Sequence, residues 1–241
     1  MTPGTAREAD VLGRLQRRFV TGSVSALPWL EPACGSGRLL RRLAARGLKA
    51  VGYDLDRDMV AYAEAAISRR GLQNRVTVQV GDMASPPSVR QQTGFAFNPW
   101  NSIRHLRDDA AVLSHLEATA VALAPGGVYA VGLSLTAPEG DPPEEDVWTA
   151  TRGRCRVLQV VNWEPADHRV ERAHVQTVVR RGAQEEFLSS SYDLRTYTAK
   201  QWRDLLTSSP LRSIGAVDLH GRDRGDRDLP YQFEILTHAD R

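Results

Sequence analysis

Leu30-Glu31-Pro32-Ala33-Cys34-Gly35-Ser36-Gly37 is the stretch that decides how this chain is read. It closes a short apolar run and ends in two glycines. Neither glycine carries a Cβ, so the backbone there turns tightly and leaves room for a ligand to come close. A second apolar run, Ala50 to Tyr53, ends at Asp54. A carboxylate in that place can accept hydrogen bonds from a ribose diol. The pair reads as a site for a nucleotide-type cofactor at the edge of an open α/β sheet.

Working outward, Val11, Leu12, Leu15 and Phe19 recur at helical spacing, which predicts a helix over 6–20. A strand is expected over 26–30, then a helix over 38–46 stopped at Gly47, and a strand over 50–53. Asp56 or Asp58 can cap the next helix, which runs through Met59, Tyr62, Ala63 and Ala66 to Gly71. Strands follow at 76–80, before Gly81-Asp82-Met83, and at 95–97, before Asn98-Pro99. A helix over 108–123 and a strand over 128–135 flank Pro125-Gly126-Gly127. Strands alternating with helices predict a Rossmann-like, mostly parallel sheet of seven strands with helices on both faces. Ligands bind such sheets at the carboxyl ends of the strands. The glycine turn, Asp54, Asp82 and Asn98 all fall at such ends.

After Thr136 the pattern changes. Residues 137–146 are rich in Pro, Glu and Asp and read as a loop. Three β-like runs at 155–163, 170–180 and 185–194 predict an antiparallel meander inserted after the fifth strand, with turns over 164–168 and 181–184. A helix over 199–206 and strands over 213–219 and 230–237 finish the chain, with a charged loop over 222–228. The expected organisation is an N-terminal helical segment (1–26), a cofactor-binding domain (27–136 and 195–241) and an antiparallel insertion (137–194).

Composition sets outer bounds. The chain has 241 residues, 41% hydrophobic and 25% charged, as in ordinary globular proteins. No apolar run approaches the roughly 20 residues that span a bilayer, and no signal-type apolar core opens the chain, so the default place is the cytoplasm. Cys34 and Cys155 are the only cysteines, and the six histidines show no ligand spacing, so neither disulfide framework nor metal site is expected. A net charge of +2 is too mild to point to nucleic acid.

Taken in order, Leu30 to Arg38, Val51-Gly52-Tyr53-Asp54-Leu55-Asp56, Gly81-Asp82-Met83 and Leu123-Ala124-Pro125-Gly126-Gly127 resemble the motifs of class I S-adenosylmethionine-dependent methyltransferases. Arg195-Thr196-Tyr197-Thr198 with Trp202 and Leu205-Leu206 resembles the segment after the insertion in the small-molecule branch. The resemblance implies S-adenosyl-L-methionine as cofactor and S-adenosyl-L-homocysteine as product. It places Glu31, Ala33, Gly35, Gly37, Asp54, Leu55, Met59, Asp82, Met83 and Asn98 around the cofactor. Glu31 would face the amino group, Asp54 the ribose, Leu55 and Met59 the adenine, and Asp82 its exocyclic amine. A nicotinamide dehydrogenase fits less well, since Leu40 stands at its third glycine and Asp82 is left without a part.

Asn101-Ser102 and His105-Leu106 resemble an element of glycine N-methyltransferase relatives in which the Asn and His lie at the acceptor pocket. Asn101 and His105 are therefore the candidates for acceptor positioning, while Arg104 reads as solvated. The implied activity is methyl transfer to a small-molecule acceptor, nitrogen preferred over oxygen. Asn98-Pro99-Trp100 also matches, less one proline, a motif of enzymes that methylate amino groups of nucleic acids or proteins. A cofactor-binding sensor without turnover is a further alternative. In relatives the insertion lies over the site, where Trp148, Trp163 and Tyr192 would line a pocket, pack, or make a homodimer contact. Relatives often close the cofactor with an N-terminal Tyr; here no Tyr precedes Tyr53.

Overall fold

The computed structural model describes residues 4–88, 92–138, 141–225 and 230–239. The sequence expectations at 1–3, 139–140 and 226–228 lie outside them. The chain forms two compact units, Met1–Ser134 with Gln201–Arg241, and Leu135–Lys200.

The larger unit is built on a seven-stranded sheet of order β10-β11-β5-β4-β1-β2-β3. Its strands are β1 (Trp29–Pro32), β2 (Ala50–Asp54), β3 (Val76–Val80), β4 (Thr93–Asn98), β5 (Leu123–Leu133), β10 (Leu211–Val217) and β11 (Gln232–His238). Strands β1 to β5 pair in parallel, and β11 runs antiparallel to β5 and β10. β1 lies between β2 and β4, so the strand order reverses there, and sheets of this kind bind ligands at that reversal, beyond the carboxyl ends of the strands.

The helices are α1 (Thr5–Phe19), α2 (Arg38–Ala44), α3 (Arg57–Ser68), α4 (Asp109–Ala122) and α5 (Ala199–Thr207). α1 forms because Ala9, Leu12 and Leu15 recur on one face, and all three are buried. α3 starts where Asp56 accepts from the amides of Asp58 and Met59 at 2.8 and 3.1 Å. Trp29, Phe95 and Phe97 fill the centre of the sheet, with Trp29 edge-on to Phe95 at 4.8 Å between ring centres. Burying one such ring stabilises by roughly 1.5–3 kcal/mol.

The smaller unit is a four-stranded antiparallel sheet of β6 (Glu144–Arg152), β7 (Cys155–Asp167), β8 (Val170–Arg181) and β9 (Gln184–Arg195). Two-residue turns join its strands. His168 and Arg169 both hold positive φ, 47° and 66°, the signature of a primed hairpin turn made without glycine.

Several sequence expectations need correction. β6 was not foreseen; the loop expected to reach Asp146 gives way to strand at Glu144, because pairing with β7 outweighs the poor strand propensity of Glu144-Glu145-Asp146. β5 starts at Leu123, ahead of the Pro-Gly-Gly break, and residues 26–30 are not all strand: a 3-10 turn covers Gly22–Ala26 and β1 begins at Trp29.

Candidate active site

The first half of the site is the turn from β1 into α2. Ala33, Gly35 and Gly37 all have positive φ, 51°, 50° and 64°. At Gly35 a Cβ would meet nothing within 4 Å, so the turn faces open space there; at Gly37 it would come within 3.2 Å of the Ala63 Cβ. Asp54, at the end of β2, ties this turn to its own strand. Its Oδ2 accepts from the Gly35 amide at 2.6 Å and its Oδ1 from the Asp56 amide at 3.0 Å. A carboxylate has about four acceptor positions, so each oxygen keeps capacity for a ligand hydroxyl. Beside it Leu55 and Met59 expose apolar side chains, 67% and 45% accessible. Asp82 follows β3 and accepts from the Ala84 amide at 2.8 Å.

Two buried polar atoms at the strand exits have no hydrogen-bond partner, Glu31 Oε2 and Asn98 Oδ1. Such orphans are costly to hold. Burial pushes the Glu31 carboxyl well above the usual carboxylate range; the Arg38 guanidinium draws it back, while Glu8 and Asp54 add to the rise. Asn98 Nδ2 donates to the Pro32 carbonyl at 2.9 Å and lies 3.7 Å from the Met83 sulfur. Asn98 thus clasps the exits of β1 and β4, with buried Met83 against it.

The second half of the site is the segment after β4. Trp100 and Asn101 both sit at φ 61°, unusual for asparagine and more so for a bulky tryptophan. Each is held by bonds from elsewhere. The Trp100 amide donates to Tyr231 Oη at 2.8 Å, its indole Nε1 to Glu8 Oε2 at 2.8 Å, and its ring stacks on Tyr231 at 5.6 Å between centres. The Asn101 amide donates to the Gly132 carbonyl at 3.1 Å; its Oδ1 accepts from the Ser134 amide at 2.6 Å and its Nδ2 donates to Ser134 Oγ at 3.1 Å. A Cβ on Gly132 would lie 1.9 Å from Tyr231 Oη, which explains the glycine.

His105 closes a 3-10 turn, Ser102–His105, and is exposed at its surface. Partial desolvation and the adjacent Arg104 guanidinium hold its imidazole below the ordinary value, with Asp54 pulling weakly the other way. Arg104, expected to be solvated, is buried at 4% accessibility. The 3-10 turn packs that position against β5, a reversal that residue type alone could not signal. The sequence also gave no notice of Glu8, Ser134 and Tyr231. Each is an unremarkable polar or aromatic position, and only the fold brings them to Trp100 and Asn101. In the smaller unit, Trp148 is 58% exposed, while Trp163 is partly buried, edge-on to Tyr192 at 6.0 Å, with Nε1 donating to Asp146 at 3.1 Å. Among the described residues no helix is long and apolar enough to cross a membrane, and no cluster of three or more His, Cys, Asp or Glu could hold a metal ion.

Residues 30–127, which carry the β1 turn, Asp54, Asp82, Asn98 and the segment after β4, match a family model described as a methyltransferase domain. The chain is similar in structure to a S-adenosylmethionine-dependent methyltransferase from Clostridium acetobutylicum (TM-score 0.78, 15% identity, covering 96% of this chain and 91% of the other). It is also similar to CalS10, an amino pentose methyltransferase from Micromonospora echinaspora (TM-score 0.72, 20% identity, 97% and 90% covered). A third is the sugar N-methyltransferase KedS8 from Streptoalloteichus (TM-score 0.72, 20% identity, 96% and 87% covered). A comparison with curated protein sequences returns no match.

The residues at the strand exits could hold S-adenosylmethionine. Glu31, whose Oε2 is buried without a partner, could hold its ammonium group, Asp54 keeps acceptor capacity that could hold its ribose diol, and the open space at Gly35 leaves room for its chain.

Proposed function

We propose that this chain is an S-adenosylmethionine-dependent methyltransferase that methylates a nitrogen of a small-molecule acceptor, an amine on a sugar-like scaffold being the preferred class. In this reading Glu31, Ala33, Gly35 and Gly37 hold the methionine end of the cofactor and Asp54 its ribose. Leu55, Met59, Asp82 and Met83 surround the adenine, and Asn98 fixes the strand exits between them. When bound, the cofactor supplies a methyl group on a sulfonium, already activated for in-line displacement. What remains for the chain is alignment and proton handling. Holding two reactants in line lowers a barrier by several kcal/mol without acid or base.

The observation that carries the acceptor assignment is His105. It sits on the segment that leaves β4 at the strand-order reversal, with its imidazole favoured in the neutral form. A neutral imidazole can accept the proton of an arriving ammonium, exposing the nitrogen lone pair that attacks the methyl carbon. Asn101 bonds Ser134 through both side-chain groups, which fixes the segment, and its amide keeps one N–H to hold the acceptor. Trp100 supports the small-molecule reading over the nucleic-acid or protein one, because its ring already stacks on Tyr231 and its indole N–H is taken by Glu8. The printed descriptions of CalS10 and KedS8 as sugar-type methyltransferases support the same acceptor class.

A panel of amino sugars, plain amines and single-stranded RNA, read by mass spectrometry for one added methyl, tests this. An amino sugar should be methylated and RNA should not; methylation of RNA alone would overturn the reading, and cofactor binding without turnover of anything would favour a sensor. His105→Ala should lower turnover while leaving the affinity for S-adenosylhomocysteine unchanged. Asp54→Ala should weaken that affinity by about 10- to 100-fold, the roughly 1–3 kcal/mol of a buried polar group losing its partner; affinity within twofold of the parent would remove Asp54 from the ribose site.

A further inference from the structure

We propose that Glu8 is a positioning residue that couples the cofactor turn to the segment after β4. One oxygen, Glu8 Oε2, accepts two bonds from two different strand exits. Arg38 Nη2 donates to it at 2.6 Å, and Trp100 Nε1 donates to it at 2.8 Å. Arg38 is the first residue of α2, directly after Gly37, so its backbone moves with the cofactor turn. Its guanidinium also faces the buried Glu31 carboxyl and reaches Thr5 Oγ1 at 3.4 Å. Trp100 opens the other segment, at a positive φ that its own side chain does not favour. Glu8 belongs to neither exit; it stands on α1.

Three features make this more than a surface ion pair. First, the partners are only partly exposed, with side-chain accessibilities of 29% for Arg38 and 22% for Glu8. Second, Trp100 lies beside a cleft lined by Val11, Leu39, Leu219 and Phe233, so an indole released from Glu8 has apolar surface to turn toward. Third, the strain at Trp100 persists only while its outside contacts hold it, and Glu8 accepts the indole N–H bond just as Tyr231 accepts the amide bond. A ligand that shifts the Gly35–Gly37 turn moves Arg38, re-aims Glu8 and so alters the hold on Trp100. α1 thus reaches both exits through one carboxylate. The assignment rests on the proposal that the segment after β4 receives the acceptor, but its test does not.

The protein labelled with 15N at tryptophan gives one indole N–H signal for each of its five tryptophans, and Trp100→Phe assigns the one from Trp100. Titration with S-adenosylhomocysteine should move the Trp100 signal in the parent. The movement should shrink at least twofold in Glu8→Gln, whose amide oxygen still accepts but carries no charge, and vanish in Arg38→Met, while calorimetry shows the S-adenosylhomocysteine affinity of Glu8→Gln lowered by no more than about fivefold, since partly exposed pairs are weak. In the double-mutant cycle of Glu8→Gln and Trp100→Phe, the effects on that affinity should be non-additive. A Trp100 signal that ignores the ligand in the parent, or moves equally in Glu8→Gln, overturns the coupling. If Glu8→Gln does not fold, the Arg38→Met titration decides alone. If the coupling holds but His105→Ala leaves turnover untouched, the coupling stands and the acceptor reading falls.

Discussion

The two halves of the site use the same backbone conformation and reach it in opposite ways. At the β1 exit the left-handed residues include Gly35 and Gly37, which lack the Cβ that makes that region costly. At the β4 exit they are Trp100 and Asn101, and the cost is offset by Tyr231, Glu8, Gly132 and Ser134. The first solution is local: the residues that turn are the residues that permit the turn. The second is distributed over α1, the end of β5 and the start of β11. Local turns should tolerate change elsewhere in the molecule, whereas a distributed one should respond to distant substitutions.

The largest expected effect lies behind the second exit. β5 carries Tyr129, fully buried, whose hydroxyl pairs with His115 Nε2 of α4 at 2.8 Å. Burial pushes the His115 imidazole down to about 4, the Met83 backbone partly opposing. A histidine whose pKa is lower folded than unfolded gives stability that is full above the unfolded value, about 6.5, and is lost as pH falls toward the folded value. The shift corresponds to about 3 kcal/mol. The raised carboxyls of Glu31 and Glu234 act in the opposite sense, since they bind a proton more tightly when folded. Urea unfolding at pH 7 and pH 4.5, compared between the parent and His115→Gln, cancels those groups. The parent should lose about 2–3 kcal/mol more than the variant over this window. Equal losses would mean that His115 is not held neutral behind β5.

Next in size is Tyr231→Phe. It keeps the ring stack on Trp100 and removes only the hydroxyl that accepts from the Trp100 amide. An amide left without its partner costs about 1–2 kcal/mol, read as a lower urea midpoint at unchanged slope. No loss would show that the β4 exit keeps its shape without Tyr231, and the contrast between the two exits would weaken.

That contrast also explains what was legible in the sequence. The parallel sheet and the cofactor side could be read because their signals are short-range: glycines where the turn needs them, and Asp54, Asp82 and Asn98 one step beyond an apolar run. Asp56 as a helix cap could be read for the same reason. Glu8, Ser134 and Tyr231 could not, because each acts across 33 to 131 residues of chain and matches no local pattern. β6 was hidden because acidic residues at 144–146 look like loop until β7 pairs with them. Arg104 looked solvated because an arginine's burial is set by packing around it.

The smallest effects should come from the local exit itself. Gly35→Ala adds a methyl that meets nothing within 4 Å, so its cost is conformational alone, about 1 kcal/mol for an L-residue at φ 50°. Ala33→Gly makes the reverse trade at φ 51°: it removes that strain but loosens the unfolded chain by about 0.4–1 kcal/mol, so the two terms nearly cancel. Thermal or urea unfolding of the pair should therefore show a modest loss for Gly35→Ala and almost none for Ala33→Gly. If Gly35→Ala costs as much as Tyr231→Phe or more, the β1 turn also depends on contacts beyond its own residues. The division between a local exit and a distributed one would then fail at the place where it is drawn most sharply.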